Sequence, residues 1–150
     1  MLTTHQKNIA AIIHLSALSK YVFPLGNFIL PLIFWTVNKD KSDFIDQHGK
    51  QAINFQLSIL LYAVVIASLT IPLFFFGVLN TLDFPEVWHF YDWNFHITKS
   101  QGVNMAIITL LAALLTAAAV IIELVFIVTA ISKANQGELY KYPITINFLK

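Results

Sequence analysis

The residue most out of place in this chain is Glu123. It is the single charge inside the apolar run 105–131. A carboxylate in hydrocarbon must be protonated, paired or beside water. The chemistry open to it is a proton or ion relay, or a carboxyl hydrogen-bonded across helices. Ala112, Thr116, Ala119 and Ala130 share its helical face, and small residues mark the face on which a second helix approaches in lipid. Glu123 is therefore expected to point into a bundle.

A second group lies at the start of another apolar run. Asp43, Gln47, Lys50, Asn54 and Ser58 recur every three or four positions, with Asp46, His48 and Gln56 beside them. Asp46 and Lys50 form an acid-before-base pair at i, i+4, which stabilises an exposed helix by a few tenths of a kcal/mol. A solvated first turn accounts for Asp43 to Lys50. It does not account for Asn54, Gln56 and Ser58, which stand where apolar sequence has begun. The candidate functional or structural polar residues are thus Asp46, His48, Lys50, Asn54, Gln56 and Glu123.

Other chemistry is thinly represented. His5, His14, His48, His89 and His96 include no pair at i, i+4, the spacing that puts two imidazoles on one metal from one helix face. Separate polar histidines are the favoured reading, with a metal site or pH switch at His48 as the sharper alternative. The five glycines are too scattered to cradle a phosphate. No cysteine is present, so thiol chemistry and disulfides are excluded. No catalytic, cofactor-binding or metal residue is assigned, and the chain is expected not to be an enzyme and to need no cofactor.

The elements that must position these residues are apolar. The chain is 57% hydrophobic and 11% charged, with mean hydropathy +0.70. A soluble domain carries about 25% charged residues, and a short chain has too much surface to hide so many apolar side chains. The runs 9–37, 52–79 and 105–131 each exceed the roughly 20 residues that cross a bilayer as a helix. The first is interrupted by Pro24 and Gly26. As one helix it would be roughly 43 Å long, against a hydrocarbon core about 30 Å thick. A broken hairpin fits the breakers best, and one kinked crossing is the alternative. The Lys7-led start with Ala17-Leu18-Ser19 is only faintly like a secretory leader, since apolar sequence resumes at Tyr21.

The expected fold is all-α: a polytopic helical membrane protein with a broken N-terminal helical hairpin plus two long transmembrane helices, four helices in all. One membrane domain, 1–150, holds helices at about 4–20, 26–37, 43–79 and 104–135. Thr3 or Thr4 caps the first, Pro31 sits in the first turns of the second, Pro72 kinks the third, and Gly137 stops the fourth. The connection 80–103, rich in Trp, Tyr and Phe, reads as interfacial, and 138–150 as an extended tail. All nine basic residues are lysine. Lys39, Lys41 and Lys50 flank the first turn, and Lys133, Lys141 and Lys150 lie toward the end, while the aromatic connection has Lys99 alone. The positive-inside bias puts the 38–50 loop and the C-terminus in the cytoplasm. With a net charge of +1, no nucleic-acid partner is expected; membrane lipid is.

Three segments resemble a known family. His14-Leu15-Ser16 with Pro24-Leu25-Gly26-Asn27, Pro31-Leu32-Ile33 and Trp35 form the first. Phe44-Ile45-Asp46-Gln47-His48-Gly49-Lys50-Gln51-Ala52-Ile53-Asn54-Phe55-Gln56 is the second. Lys133-Ala134-Asn135-Gln136-Gly137-Glu138 with Tyr140-Lys141-Tyr142-Pro143 is the third. In this order they are similar to a family of small bacterial multi-pass membrane proteins of unknown function, grouped with the twenty-kilodalton subunit of the translocon at the inner chloroplast envelope. The resemblance implies a bacterial cytoplasmic (inner) membrane. It also implies a non-enzymatic role in assisting or scaffolding protein translocation or insertion, with translocation components or further copies of the chain as partners. The alternative function is a small oligomeric channel or ion carrier using Glu123. Convergence of Asp46, His48, Lys50 and Asn54 on one cavity would favour channel or enzyme.

Overall fold

The computed structural model describes residues 2–79 and 99–150, with side chains given for 2–72 and 106–150. It is all-helical: α1 (Thr4–Ser16), α2 (Gly26–Asn38), α3 (Asp43–Leu79) and α4 (Lys99–Gln136). No strand occurs among the described residues. The expected aromatic connection lies outside the described residues as far as position 98, and α4 is already helical from Lys99.

Local chemistry sets each boundary. Thr3 caps α1 with a reciprocal pair: its hydroxyl accepts from the Gln6 N–H at 3.2 Å, and the Gln6 side chain accepts from the Thr3 N–H at 2.9 Å. The helix ends where Ser16 and Ser19 hydroxyls donate back to the carbonyls of Ile13 and Ser16 at 2.7 and 2.6 Å, and the chain tightens into a 3-10 turn over Ala17–Tyr21. Leu25 then takes a left-handed conformation, φ 62°, and α2 starts at Gly26. Gly26 is more than a helix breaker. A Cβ there would lie 2.7 Å from the main chain of Ser19, so its missing side chain lets the two arms of the hairpin close. Pro31 lies inside α2 and is buried; it falls beyond the first turn and cannot donate to the Asn27 carbonyl.

At the other end, Gly137 takes φ +83° and closes α4 with two bonds: its N–H to Ala134 O and the Glu138 N–H to Lys133 O, both 3.0 Å. This is the Schellman pattern.

The chain falls into two compact units, Met1–Tyr62 with Ile121–Lys150, and Ala63–Val120. In the first, α1 is the central element. Ile9 and Ile13 pack on Ile45 and Ala52 of α3, with Trp35 of α2 against them. Ala10 and Ala11 pack with Phe44 and with Ala134 of α4. A third cluster joins Ala17, Phe55, Ile127, Ala130 and Tyr142. In the second unit, the side chains of 106–119 are all exposed although almost every one is apolar. Asp43–Pro72 and Ala106–Gln136, with mean hydropathies of 2.0 and 2.7, are long and apolar enough to cross a membrane. An exposed apolar surface of that extent is what lipid-facing helices present.

Candidate functional site

The first unit holds all six candidate polar residues. Asp46 and Lys50 form the expected i, i+4 ion pair at 2.6 Å. Asp46 also accepts a bond from the Trp35 indole N–H at 2.9 Å. The ring is brought there by Gly49, where a Cβ would lie 2.1 Å from its Cδ1 and 2.8 Å from the Trp35 Cβ. Around this contact opens a cavity of about 610 Å³, lined by both signs of charge, including Lys39, Asp40 and Asp43, and by the tail residues from Phe148 on.

Further along α3 the polar stripe serves the tail. The Asn54 amide pairs with the main chain of Leu149 twice: Nδ2 donates to its carbonyl at 3.0 Å, and Oδ1 accepts its N–H at 2.8 Å. Ser58 accepts the Ile146 N–H at 2.9 Å and donates to Asn54 O at 2.7 Å. Tyr62 donates to Ile144 O at 2.6 Å, where Ile144 adopts φ 56°, a strained setting for a β-branched residue. The three side chains supply what a neighbouring strand would otherwise supply to an extended segment. Gln56 faces the hairpin instead, its Oε1 accepting from Asn27 Nδ2 at 2.7 Å.

Two of the five histidines are not separate, while His89 and His96 lie outside the described residues. His14 of α1 and His48 of α3 are both fully buried, with His14 Nε2 and His48 Nδ1 2.8 Å apart. The other nitrogen of His14 lies 2.9 Å from the Tyr142 hydroxyl. Phe44 stands edge-on to His48, centroids 4.4 Å apart, and Phe55 stacks on Tyr142 at 4.0 Å. Burial, and then the neighbouring His48, push His14 down to about 3. Burial, followed by Tyr140 and Glu123, holds the Tyr142 hydroxyl far above the usual phenol range. Both groups are neutral at pH 7.

Glu123 also has a partner. Its carboxylate is paired with the ammonium of Lys20, at the end of the first helical arm. The carboxylate side chain is 8% exposed and the lysine 26%. Glu123 Oε1 is buried and has no hydrogen-bond partner among the described residues.

The six residues therefore diverge. Asp46 and Lys50 line the open cavity. His48 lines a different, smaller one. Asn54 holds the tail, Gln56 the hairpin, and Glu123 the Lys20 ammonium. Sequence reasoning missed His14, Lys20, Gly49 and Tyr142. Only Gly49 carried a local signal, as a glycine in the opening turns of a helix that otherwise has no reason to weaken itself. Among the described residues no cluster of three His, Cys, Asp or Glu could hold a metal ion.

Comparison with known proteins gives one finding. The model of a family described as magnetosome magnetite crystal formation proteins matches residues 5–149. The match agrees with the small bacterial membrane protein expected from the motifs and lends no support to the chloroplast translocon likeness. No curated protein and no solved structure matches the chain.

Proposed function

The chain belongs to the magnetosome magnetite crystal formation protein family, and we propose that within that process it acts as a non-enzymatic membrane scaffold. One observation carries this reading: most of the polar residues that could have lined a path or an active centre bind other parts of the chain. Asn54 and Ser58 bind the tail, Gln56 binds Asn27, Glu123 binds Lys20, and Asp46 binds Trp35 and Lys50. Among the described residues, apolar helix surface and the mixed-charge cavity beside Trp35 face outward. Those are means of sitting in lipid and of meeting another protein.

The test is crosslinking in native membranes through a tagged tail, mild solubilisation and identification of what is recovered. A reproducible set of other membrane proteins, lost when Lys39, Asp40 and Asp43 at the cavity rim are exchanged for Ala, supports the scaffold. Recovery of this chain alone rejects it. A narrower form, in which the scaffold assists protein translocation or insertion, draws on the motif resemblance and would show translocon subunits or unfolded clients in that set.

A second reading, an oligomeric channel or ion carrier, is favoured by the unpartnered Oε1 of Glu123. In reconstituted vesicles it requires a flux that changes in Glu123→Gln; equal flux in both proteins, or none, removes it.

For placement we propose the bacterial cytoplasmic membrane, with the 38–50 loop and the C-terminus cytoplasmic. The lysine distribution supports this, as does the sharing of one cavity by Lys39, Lys50 and Lys150. The chain has no cysteine, so single cysteines at Lys41 and Lys150 can be labelled in intact cells. Both should resist an impermeant thiol reagent, and labelling of either reverses the placement.

A further inference from the structure

The smaller cavity has no role in the scaffold. It measures about 220 Å³ and is lined by Gln47, His48, Gln51, Leu139, Tyr140 and Lys141. Two of its lining residues carry buried polar atoms with no partner among the described residues: His48 Nε2 and Gln51 Oε1. The Glu138 main chain lies beside the His48 ring without completing a bond to Nε2. Two orphaned buried atoms at one cavity mark a site for water, which satisfies such groups at little cost. A water can donate to the Gln51 oxygen and either donate to or accept from His48.

We propose that this cavity is a proton-exchange site: hydronium in its water gives one proton to His48, and the hydrogen-bonded His48–His14 pair holds the resulting charge. The chemistry follows from counting N–H groups. The neutral pair has two among four nitrogens. One lies between the rings, at 2.8 Å, and the other is either on His48 Nε2, with Tyr142 donating to His14, or on His14 Nδ1, donating to Tyr142. A hydronium in the cavity gives its proton to the vacant Nε2 of the second form and leaves as water. The pair then carries three N–H groups and one positive charge. His48 Nε2–H donates to the cavity, the bridging N–H joins the rings, and His14 Nδ1–H donates to the Tyr142 oxygen, 2.9 Å away. Uptake thus locks Tyr142 as an acceptor.

The groups facing the pair set when this happens. Lys141 and Tyr140 come from the tail, Tyr142 touches His14, and Glu123 of α4 acts on Tyr142. No carboxylate side chain lines the cavity, and burial opposes the charge, so uptake belongs to acid.

The experiment is histidine-15N NMR of the full chain in lipid nanodiscs from pH 8 to pH 3, with the two rings assigned by His14→Asn and His48→Asn. The expected result is one shared titration of both rings, with Nε2 of His48 exchanging rapidly with water. In Gln51→Leu the exchange slows by about tenfold, the equivalent of one lost hydrogen bond of roughly 1.4 kcal/mol, while the His14–His48 coupling persists. Independent titration of the rings overturns the proposal. So does exchange unaffected by Gln51→Leu, or unfolding, followed by circular dichroism, before either ring is protonated.

Discussion

Lys20 and Glu123, 103 positions apart in sequence, form one ion pair that fastens the end of the first helical arm to α4. Removing one partner of a buried pair costs about 3–5 kcal/mol because the other charge is left stranded. Lys20 is a quarter exposed, so water will screen part of that loss. Lys20→Met should therefore destabilise the folded chain by roughly 1–3 kcal/mol. Lys20→Met with Glu123→Leu should recover most of it. Thermal unfolding in detergent measures both, and a double variant no better than the single one would contradict the pairing.

Gly49 should tolerate no side chain. The Cβ of an alanine would meet both the indole and the Cβ of Trp35, so a turn of the ring alone cannot make room. Gly49→Ala is expected to cost about 1–3 kcal/mol, the usual range for an overpacked core, against the stabilisation of roughly 1 kcal/mol that the same change gives in an open helix. A stabilised Gly49→Ala protein would show that Trp35 is not seated there.

Asn54→Leu should free the tail. The change strands the N–H and carbonyl of Leu149, each of which loses a bond to the amide. One such loss is worth about 1 kcal/mol, so amide exchange over 144–150 should quicken about tenfold or more while α1 stays protected. Hydrogen exchange followed by mass spectrometry reads this directly. Unchanged protection in the tail would mean that other contacts hold it.

Acid should weaken the fold through His14. Its ring sits at about 3 when folded, against an ordinary 6.5. As the pH falls below 6.5 the unfolded chain binds the proton first, so stability drops and continues to drop until about 3. One pH unit below 6.5 the loss is roughly 1.4 kcal/mol. Unfolding midpoints at pH 7.5 and 5.5 should separate in the native chain and separate by less in His14→Asn, where His48 alone of the pair is still buried. Equal midpoints in the native chain would count against a buried neutral ring.

How far the sequence reaches is clearest at particular residues. Hydropathy along the chain was enough to expect two long membrane helices, because crossing a bilayer depends on a local average, and Pro24 and Gly26 pointed to a broken hairpin while leaving one kinked crossing open. The cap at Thr3, the close at Gly137 and the Asp46–Lys50 pair were also readable, since each involves residues within a turn or so of one another. The polar stripe on α3 could be seen but not interpreted: Asn54 and Ser58 look alike whether they line a path or hold a tail. The partners of His14, Lys20 and Tyr142 left no trace in spacing. A buried polar group is stabilised by whatever lies opposite it, and that neighbour is chosen by how distant helices pack. The tertiary structure alone therefore decided that His14 and His48 form a pair, that Glu123 is neutralised by Lys20, and that a small cavity stands beside His48.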